Sequence, residues 1–274
     1  MAFMGYEELY SLKESPFRTS PDEKFYYDSP QHGRAVAKLS HAAETMGGLA
    51  VLLGDIGTGK TTVARKLLST LSSQPGFEVS LFIIIHSEVA PFWLVRKIAF
   101  QIDIDTRNES NDGLIALVYN RLVELHEDGK KTVVLIDEAN MLKEKRLMEE
   151  LRGLMNIEFP EGHLITFILF GLPELDDNLK LDRPLYERVG LKCRLDPLDM
   201  ECTKAYIQHR LKIAGRDEPV FTEKAVELIF HYSKGKPRLI NTICDNSLLE
   251  GFMQKKTIID EAMVEMIGNE MGIE

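Results

Sequence analysis

The chain has 274 residues, 44% hydrophobic and 28% charged, a balance ordinary for a soluble globular protein with room for one large domain or two modest ones. A formal net charge of −10 gives no sign of bulk attraction to DNA or to an anionic membrane, while a local basic patch stays open to such partners. Cys193, Cys202 and Cys244 lack C-x-x-C spacing, the histidines are scattered, and no run approaches the ~18 apolar residues that would span a bilayer. With no basic-then-apolar N-terminus, these features predict a cytoplasmic protein with reduced thiols and neither a disulfide frame nor a structural metal.

Residues 1–30 carry Pro16, Pro21 and Pro30 among Phe17, Phe25, Tyr26 and Tyr27. Such proline density rules out a long helix, and the aromatics predict a segment that wraps onto the domain that follows. Apolar spacing predicts a helix from Gln31 to Met46, stopped by Gly47-Gly48. Strands are then expected at 49–53, 79–86, 132–137, 164–170 and 191–195. Helices are expected between them at 61–72, 91–102, 114–127, 143–157 and 184–189. The strands are nearly continuous apolar runs, as when both faces of a parallel sheet are covered. The pattern predicts a doubly wound α/β domain over 31–197 with a parallel five-stranded sheet. From residue 198 only helices are expected: 200–214 and 222–233, stopped at Gly215 and Gly235, one from Pro237 to about Phe252, and a last one from Asp260. Residues 198–274 thus read as an all-helical lid domain.

Gly54-Asp55-Ile56-Gly57-Thr58-Gly59-Lys60-Thr61, followed by Thr62, fits G-x-x-x-x-G-K-[ST] between the first strand and its helix. Glycines let the backbone curl so that several N–H groups face one phosphate, and the helix N-terminus adds its positive dipole end. Lys60 is assigned to the β- and γ-phosphates and Thr61 to Mg²⁺, so the pattern implies a bound nucleoside triphosphate. Val133-Val134-Leu135-Ile136-Asp137-Glu138 then delivers two carboxylates at a strand's C-terminal end, where ligands bind in open α/β sheets. Asp137 fits the Mg²⁺ shell and Glu138 the base that activates water. Two arginines are candidates for the γ-phosphate because a guanidinium donates paired hydrogen bonds and stays charged. Arg188 precedes the fifth strand, and Arg238 opens a helix of the lid.

Together these residues resemble the AAA+ ATPases, a P-loop NTPase family, and more narrowly the ExeA, or general secretion pathway protein A, type. The resemblance spans nearly the whole chain. It rests on Pro16-Phe17, Pro21-Asp22, Phe25-Tyr26-Tyr27, residues 54–62 and Asp137-Glu138-Ala139-Asn140. It continues through Leu151-Arg152 with Asn156, Gly171-Leu172-Pro173-Glu174-Leu175, Pro197-Leu198, His209-Arg210-Leu211 and residues 235–241.

The resemblance implies ATP and Mg²⁺ as cofactors and self-association into an oligomer or ring. By the same resemblance Arg188 is a finger reaching a neighbouring subunit's nucleotide, with Arg183 as rival, and Arg238 acts on the nucleotide of its own subunit. It further implies an aromatic segment that helps cover adenine and a protein partner from secretion or pilus assembly. Leu172 stands where the family tends to carry Gln, and His86 where it carries Asn, which predicts slow hydrolysis. Relatives often continue into a membrane span and a wall-binding module, whereas this sequence stops at Glu274, a departure that counts against envelope attachment. Two rival readings share this core: a DNA-associated regulator of the transposition type, which salt-dependent DNA binding would reveal, and an ATP-binding switch with little turnover.

Overall fold

The computed structural model describes residues 5–20, 22–45, 48–85, 92–107, 110–159 and 162–273. They form two compact units. One comprises Gln31–Asp55 and Val63–Leu195, the other Met1–Pro30, Ile56–Thr62 and Asp196–Glu274.

In chain order the elements are α1 (Pro30–Thr45), β1 (Leu49–Gly54), α2 (Lys60–Ser72), β2 (Phe77–Ile83), α3 (Trp93–Gln101), α4 (Asn111–Glu127) and β3 (Lys131–Asp137). Next come α5 (Lys145–Met155), β4 (Glu158–Phe159), β5 (Gly162–His163), β6 (Ile165–Gly171), α6 (Leu175–Leu179), α7 (Arg183–Tyr186) and β7 (Val189–Leu195). Four helices follow: α8 (Met200–Ile213), α9 (Glu223–Ser233), α10 (Pro237–Met253) and α11 (Glu261–Glu270).

The first unit is built on a five-stranded sheet of order β2-β3-β6-β1-β7 in which every pairing is parallel, as the apolar runs predict. Alternate residues feed opposite faces. Val133, Leu135, Ala50, Leu52, Ile168 and Phe170 pack with α1 and α2, while Val134, Ile136, Leu49, Val51, Phe167 and Leu169 pack with α3 to α7. Covering both faces is what makes the strands read as unbroken hydrophobic segments, since each fully buried Val, Leu or Phe contributes about 1.5–3 kcal/mol.

Several limits differ from the sequence expectation. β2 ends at Ile83, and His86, Gly47 and Pro91 lie outside the described residues. α3 begins at Trp93 because Phe92 adopts φ 60° and its N–H is taken by Glu150 Oε1 at 2.9 Å. The helix expected over 184–189 is only Arg183–Tyr186, because extended backbone resumes at Val189 as β7. The five-residue α6 and the two-residue β4–β5 ribbon are too short to leave a periodic signal.

The second unit has its own core. Leu198, Tyr206, Ile207, Leu211, Ile229, Ile240, Ile243, Leu248 and Val264 converge there from α8 to α11 and the chain before them. Asp199, Thr222 and Asp260 cap α8, α9 and α11 by accepting from Cys202, Ala225 and Met263 N–H. α9 stops through Lys234 at φ 50° and Gly235 at φ 71°. A Cβ on Gly235 would stand 1.8 Å from the Leu198 carbonyl oxygen, so only glycine fits.

Tyr6, Tyr10, Leu12, Phe17 and Phe25 are buried in this same core. The expected partner of the aromatic segment was the α/β domain that follows it; its buried rings instead lie among the lid helices, a choice set by contacts some two hundred residues away. Arg210 on α8 fastens the segment. It is 6% exposed and donates to the carbonyls of Pro16 and Arg18 and to the Tyr206 hydroxyl, with its guanidinium 4.8 Å from the centre of the Phe25 ring. Tyr10 Oη donates to the Lys256 carbonyl at 2.9 Å, and Tyr6 Oη donates to Asp245.

Candidate nucleotide site

Gly54, the last residue of β1, opens the phosphate loop. Gly57 and Gly59 take φ values of 80° and 106°, which glycine adopts without strain. That curl brings the chain into α2 at Lys60. Thr58 and Lys60 are buried, Gly57, Gly59, Thr61 and Thr62 half-buried, and Asp55 and Ile56 exposed. The 13-residue α2 begins at Lys60, and the start of a helix, where N–H groups point outward along the axis, suits an anion.

The start of α10 lies against this loop. Arg238 N–H donates to the Gly57 carbonyl at 3.3 Å, and a Cβ on Gly57 would stand 3.1 Å from Arg238 Cβ. Gly57 is therefore constrained twice, by its φ and by this approach. The Arg238 side chain is exposed, and its guanidinium makes no hydrogen bond or ion pair among the described residues.

At the end of β3 the Asp137 carboxylate is 1% exposed and its Oδ1 accepts the Glu138 N–H at 2.9 Å. Glu138 is half-buried and adopts φ 54°, ψ 35°, a left-handed conformation unusual for a residue with a Cβ. Such outliers concentrate at functional sites. A short 3₁₀ turn, Ala139–Met141, follows. Its Asn140 is 3% exposed. Asn140 Oδ1 accepts the Leu172 N–H at 3.0 Å just beyond β6, and its carbonyl accepts from Asn178 Nδ2 at 2.9 Å. Leu172 presents a half-buried apolar side chain where the resemblance calls for a polar one.

The arginine candidates before β7 lie at the other end of the sheet. β7 pairs with β1 from Val189 opposite Leu49 to Leu195 opposite Gly54, with a register shift between Leu49 and Ala50. Arg188 is thus level with the start of the six-residue β1, roughly 20 Å along the strand direction from the Gly54 end, at about 3.3 Å per residue. Its Nη1 donates to Asn156 Oδ1, a neutral acceptor at the C-cap of α5. Arg183 is instead paired with the Glu187 carboxylate at 2.9 Å. Behind them Asp182, 3% exposed, caps α7 through the Leu185 N–H at 3.0 Å and binds Arg152 Nε at 3.1 Å, so α5 anchors the turn that ends in Arg188.

The profile of a family described as an AAA domain matches residues 44–179. General secretion pathway protein A of Aeromonas hydrophila is 37% identical over 251 residues, 90% of this chain. The chain belongs to the AAA+ ATPase family, of the general secretion pathway protein A type. It spans 45% of the length of that relative. Among solved structures, Cdc6p from Pyrobaculum aerophilum has a TM-score of 0.69 at 20% identity, covering 92% of this chain and 71% of that one. The ORC2 protein of Aeropyrum pernix, in its ADPNP–ADP complexes, has a TM-score of 0.66 at 17% identity, covering 92% and 72%. These two likenesses establish the AAA+ P-loop fold, with its parallel sheet and C-terminal helices.

The side-chain oxygens of Thr61 and Asp137 are of the kind that Mg²⁺ takes. Among the described residues no cluster of three or more His, Cys, Asp or Glu could hold a metal alone. Mg²⁺ characteristically takes one or two protein oxygens together with nucleotide phosphates and water; Thr61 and Asp137 would be those oxygens. In the sequence, Asn140, Arg152, Asn156 and Arg210 stand out only as marks of resemblance. Their hydrogen bonds, and the approach of Gly57 to Arg238, emerge only from the folded chain. Among the described residues no helix is long and apolar enough to cross a membrane.

Proposed function

We propose that this protein is a Mg²⁺-dependent ATPase that self-associates and hydrolyses ATP at the junctions between its own copies. The observation that carries the reading is topological. β1 and β3 flank β6 in parallel, so Gly54, where the phosphate loop opens, and the Asp137–Glu138 pair stand at the same edge of the sheet. Loop amides and Lys60 hold the β- and γ-phosphates. Glu138 orients the attacking water and accepts its proton. Mg²⁺, when bound, neutralises charge that builds on the phosphate oxygens. Arg238 serves the nucleotide of its own chain. Arg188 is displaced along the sheet from its own loop, and its neutral partner Asn156 leaves its charge available to a neighbour's γ-phosphate. That contrast favours Arg188 over Arg183. The similarity to general secretion pathway protein A supports a secretion-type protein partner that the assembly remodels or positions.

Arg188→Ala and Lys60→Ala are each expected to be nearly inactive. Mixed, they form junctions that pair an intact loop with an intact Arg188, and hydrolysis should return above the background of either alone. Co-assembled variants whose mixture stays at background would remove Arg188 from this role and leave Arg183 as the candidate. A second reading, a nucleotide-binding switch with little turnover, is favoured by the apolar Leu172. Wild-type protein that binds ATP yet releases no phosphate, even in assembled form, would establish it.

A further inference from the structure

Glu138 occupies a left-handed backbone conformation without being glycine, so something must hold it there. Two of the restraints are local: Asp137 Oδ1 takes the Glu138 N–H at 2.9 Å, and the Glu138 carbonyl accepts the Met141 N–H at 2.9 Å. The third comes from β6. Asn140, two residues after Glu138, is buried against the exit of that strand with its Oδ1 on the Leu172 N–H and its carbonyl on Asn178 Nδ2. The Leu172 N–H also fixes which way the amide faces, because reversal would set two donors against each other. The fit is close. A Cβ on Gly171 would stand 2.8 Å from Leu175 Cδ2, 3.1 Å from Asn140 N and 3.2 Å from its Oδ1, so a side chain there would press on the Asn140 turn.

We infer that Asn140 is a positioning residue for Glu138: by docking the turn after β3 onto the exit of β6, it holds the carboxylate where it can act on the attacking water. Where a polar side chain at 172 would act directly, this chain offers the Leu172 backbone N–H, and that group is spent on Asn140. The strand exit thus serves catalysis through the turn that carries the base. The inference rests on Glu138 being the base, and the experiment separates the two ideas.

Single-turnover phosphate release with protein in excess reads even slow rates. Asn140→Leu keeps about the same volume and removes the acceptor. It should slow release about tenfold or more while ATP affinity stays within about twofold, because the phosphate contacts lie elsewhere. In the Glu138→Gln background the same substitution should leave the residual rate unchanged within about twofold, since the group it positions is already disabled. Gly171→Ala, whose added methyl would crowd Asn140 and Leu175, should slow release in the same way and with the same dependence on Glu138. It also carries the test if Asn140→Leu does not fold.

Wild-type release rates in both folded variants would overturn the inference. So would an equal proportional loss with and without Glu138, which marks a general structural effect. If Glu138→Gln alone releases phosphate at the wild-type rate, the assignment of the base fails. The positioning role is then refuted along with it, and a slowing by Asn140→Leu would mean that Asn140 serves some other group.

Discussion

Arg210 places a guanidinium inside the lid with only neutral acceptors around it: the Pro16 and Arg18 carbonyls and the Tyr206 hydroxyl, which itself donates to Asn241 at 2.8 Å. Replacing it with alanine removes three hydrogen bonds from a charged donor, each worth about 1.5–3 kcal/mol. Against that loss stands relief of the several kcal/mol it costs to keep a guanidinium dehydrated. The Pro16 carbonyl belongs to a segment with exposed residues on either side and can be rehydrated, the Arg18 carbonyl keeps Asn241 Nδ2 at 3.5 Å, and Tyr206 keeps Asn241 Oδ1. The balance predicts a destabilisation of about 2–4 kcal/mol, which at roughly 2–4 °C per kcal/mol lowers the melting temperature by about 4–16 °C. The loss should concentrate at the N-terminal segment. Limited proteolysis should therefore release residues before Pro30 from the variant long before they are cut from wild type. Arg210→Lys should recover less than half of the loss, because a point charge cannot span three acceptors. An alanine variant that melts within about 1 °C of wild type and resists cleavage equally would refute this account of how the segment is held.

Lys60→Ala removes a charge-assisted contact with the β- and γ-phosphates, so ATP should bind on the order of tenfold more weakly or worse by titration calorimetry; an unchanged dissociation constant in a folded variant would unseat the phosphate-loop assignment. Glu138→Gln keeps shape and one acceptor oxygen but takes up no proton, so ATP binding should survive while phosphate release at saturating ATP collapses. Burial of His209 beside the Tyr27 ring holds its imidazole below the usual value of 6.5. The unfolded chain then takes up a proton at a pH where the folded chain still refuses one. Stability should be intact above pH 6.5 and decline as pH falls toward the lowered value, more steeply in wild type than in His209→Gln when melting temperatures are compared across that range.

The sheet and the loop were legible because each depends on a few adjacent residues. Val133 to Ile136 serve two cores by turns, so burial on both faces is written into one short run. The phosphate loop needs glycine where φ is positive, and Gly57 and Gly59 stand there. Glu138 sits in the same backbone region with no glycine to advertise it. The turn that restrains it depends on Leu172, thirty-two positions from Asn140 along the chain. Distance also hid the resting place of the aromatic segment: the Pro16 carbonyl meets Arg210 across a separation of 194. Proline spacing could exclude a helix there but could not choose between two surfaces to cover. α6 and the β4–β5 ribbon leave no signal for the opposite reason, spanning too few residues for a period to repeat.

The two outer strands of the sheet bear on how copies of this protein can meet. Among the described residues β2 and β7 each pair on one side alone, leaving a row of backbone donors and acceptors that another chain could in principle extend. On β7 the exposed residues are Gly190, Lys192 and Arg194, and Lys192 is braced over the Tyr186 ring at 3.9 Å. On β2, Glu78 is bridged to Lys130 at 2.9 Å. Charges at both borders penalise edge-to-edge growth, in which identical strands would set like charges together. Growth into continuous fibres is thereby disfavoured, which leaves side-chain surfaces rather than strand edges as the place where copies could meet.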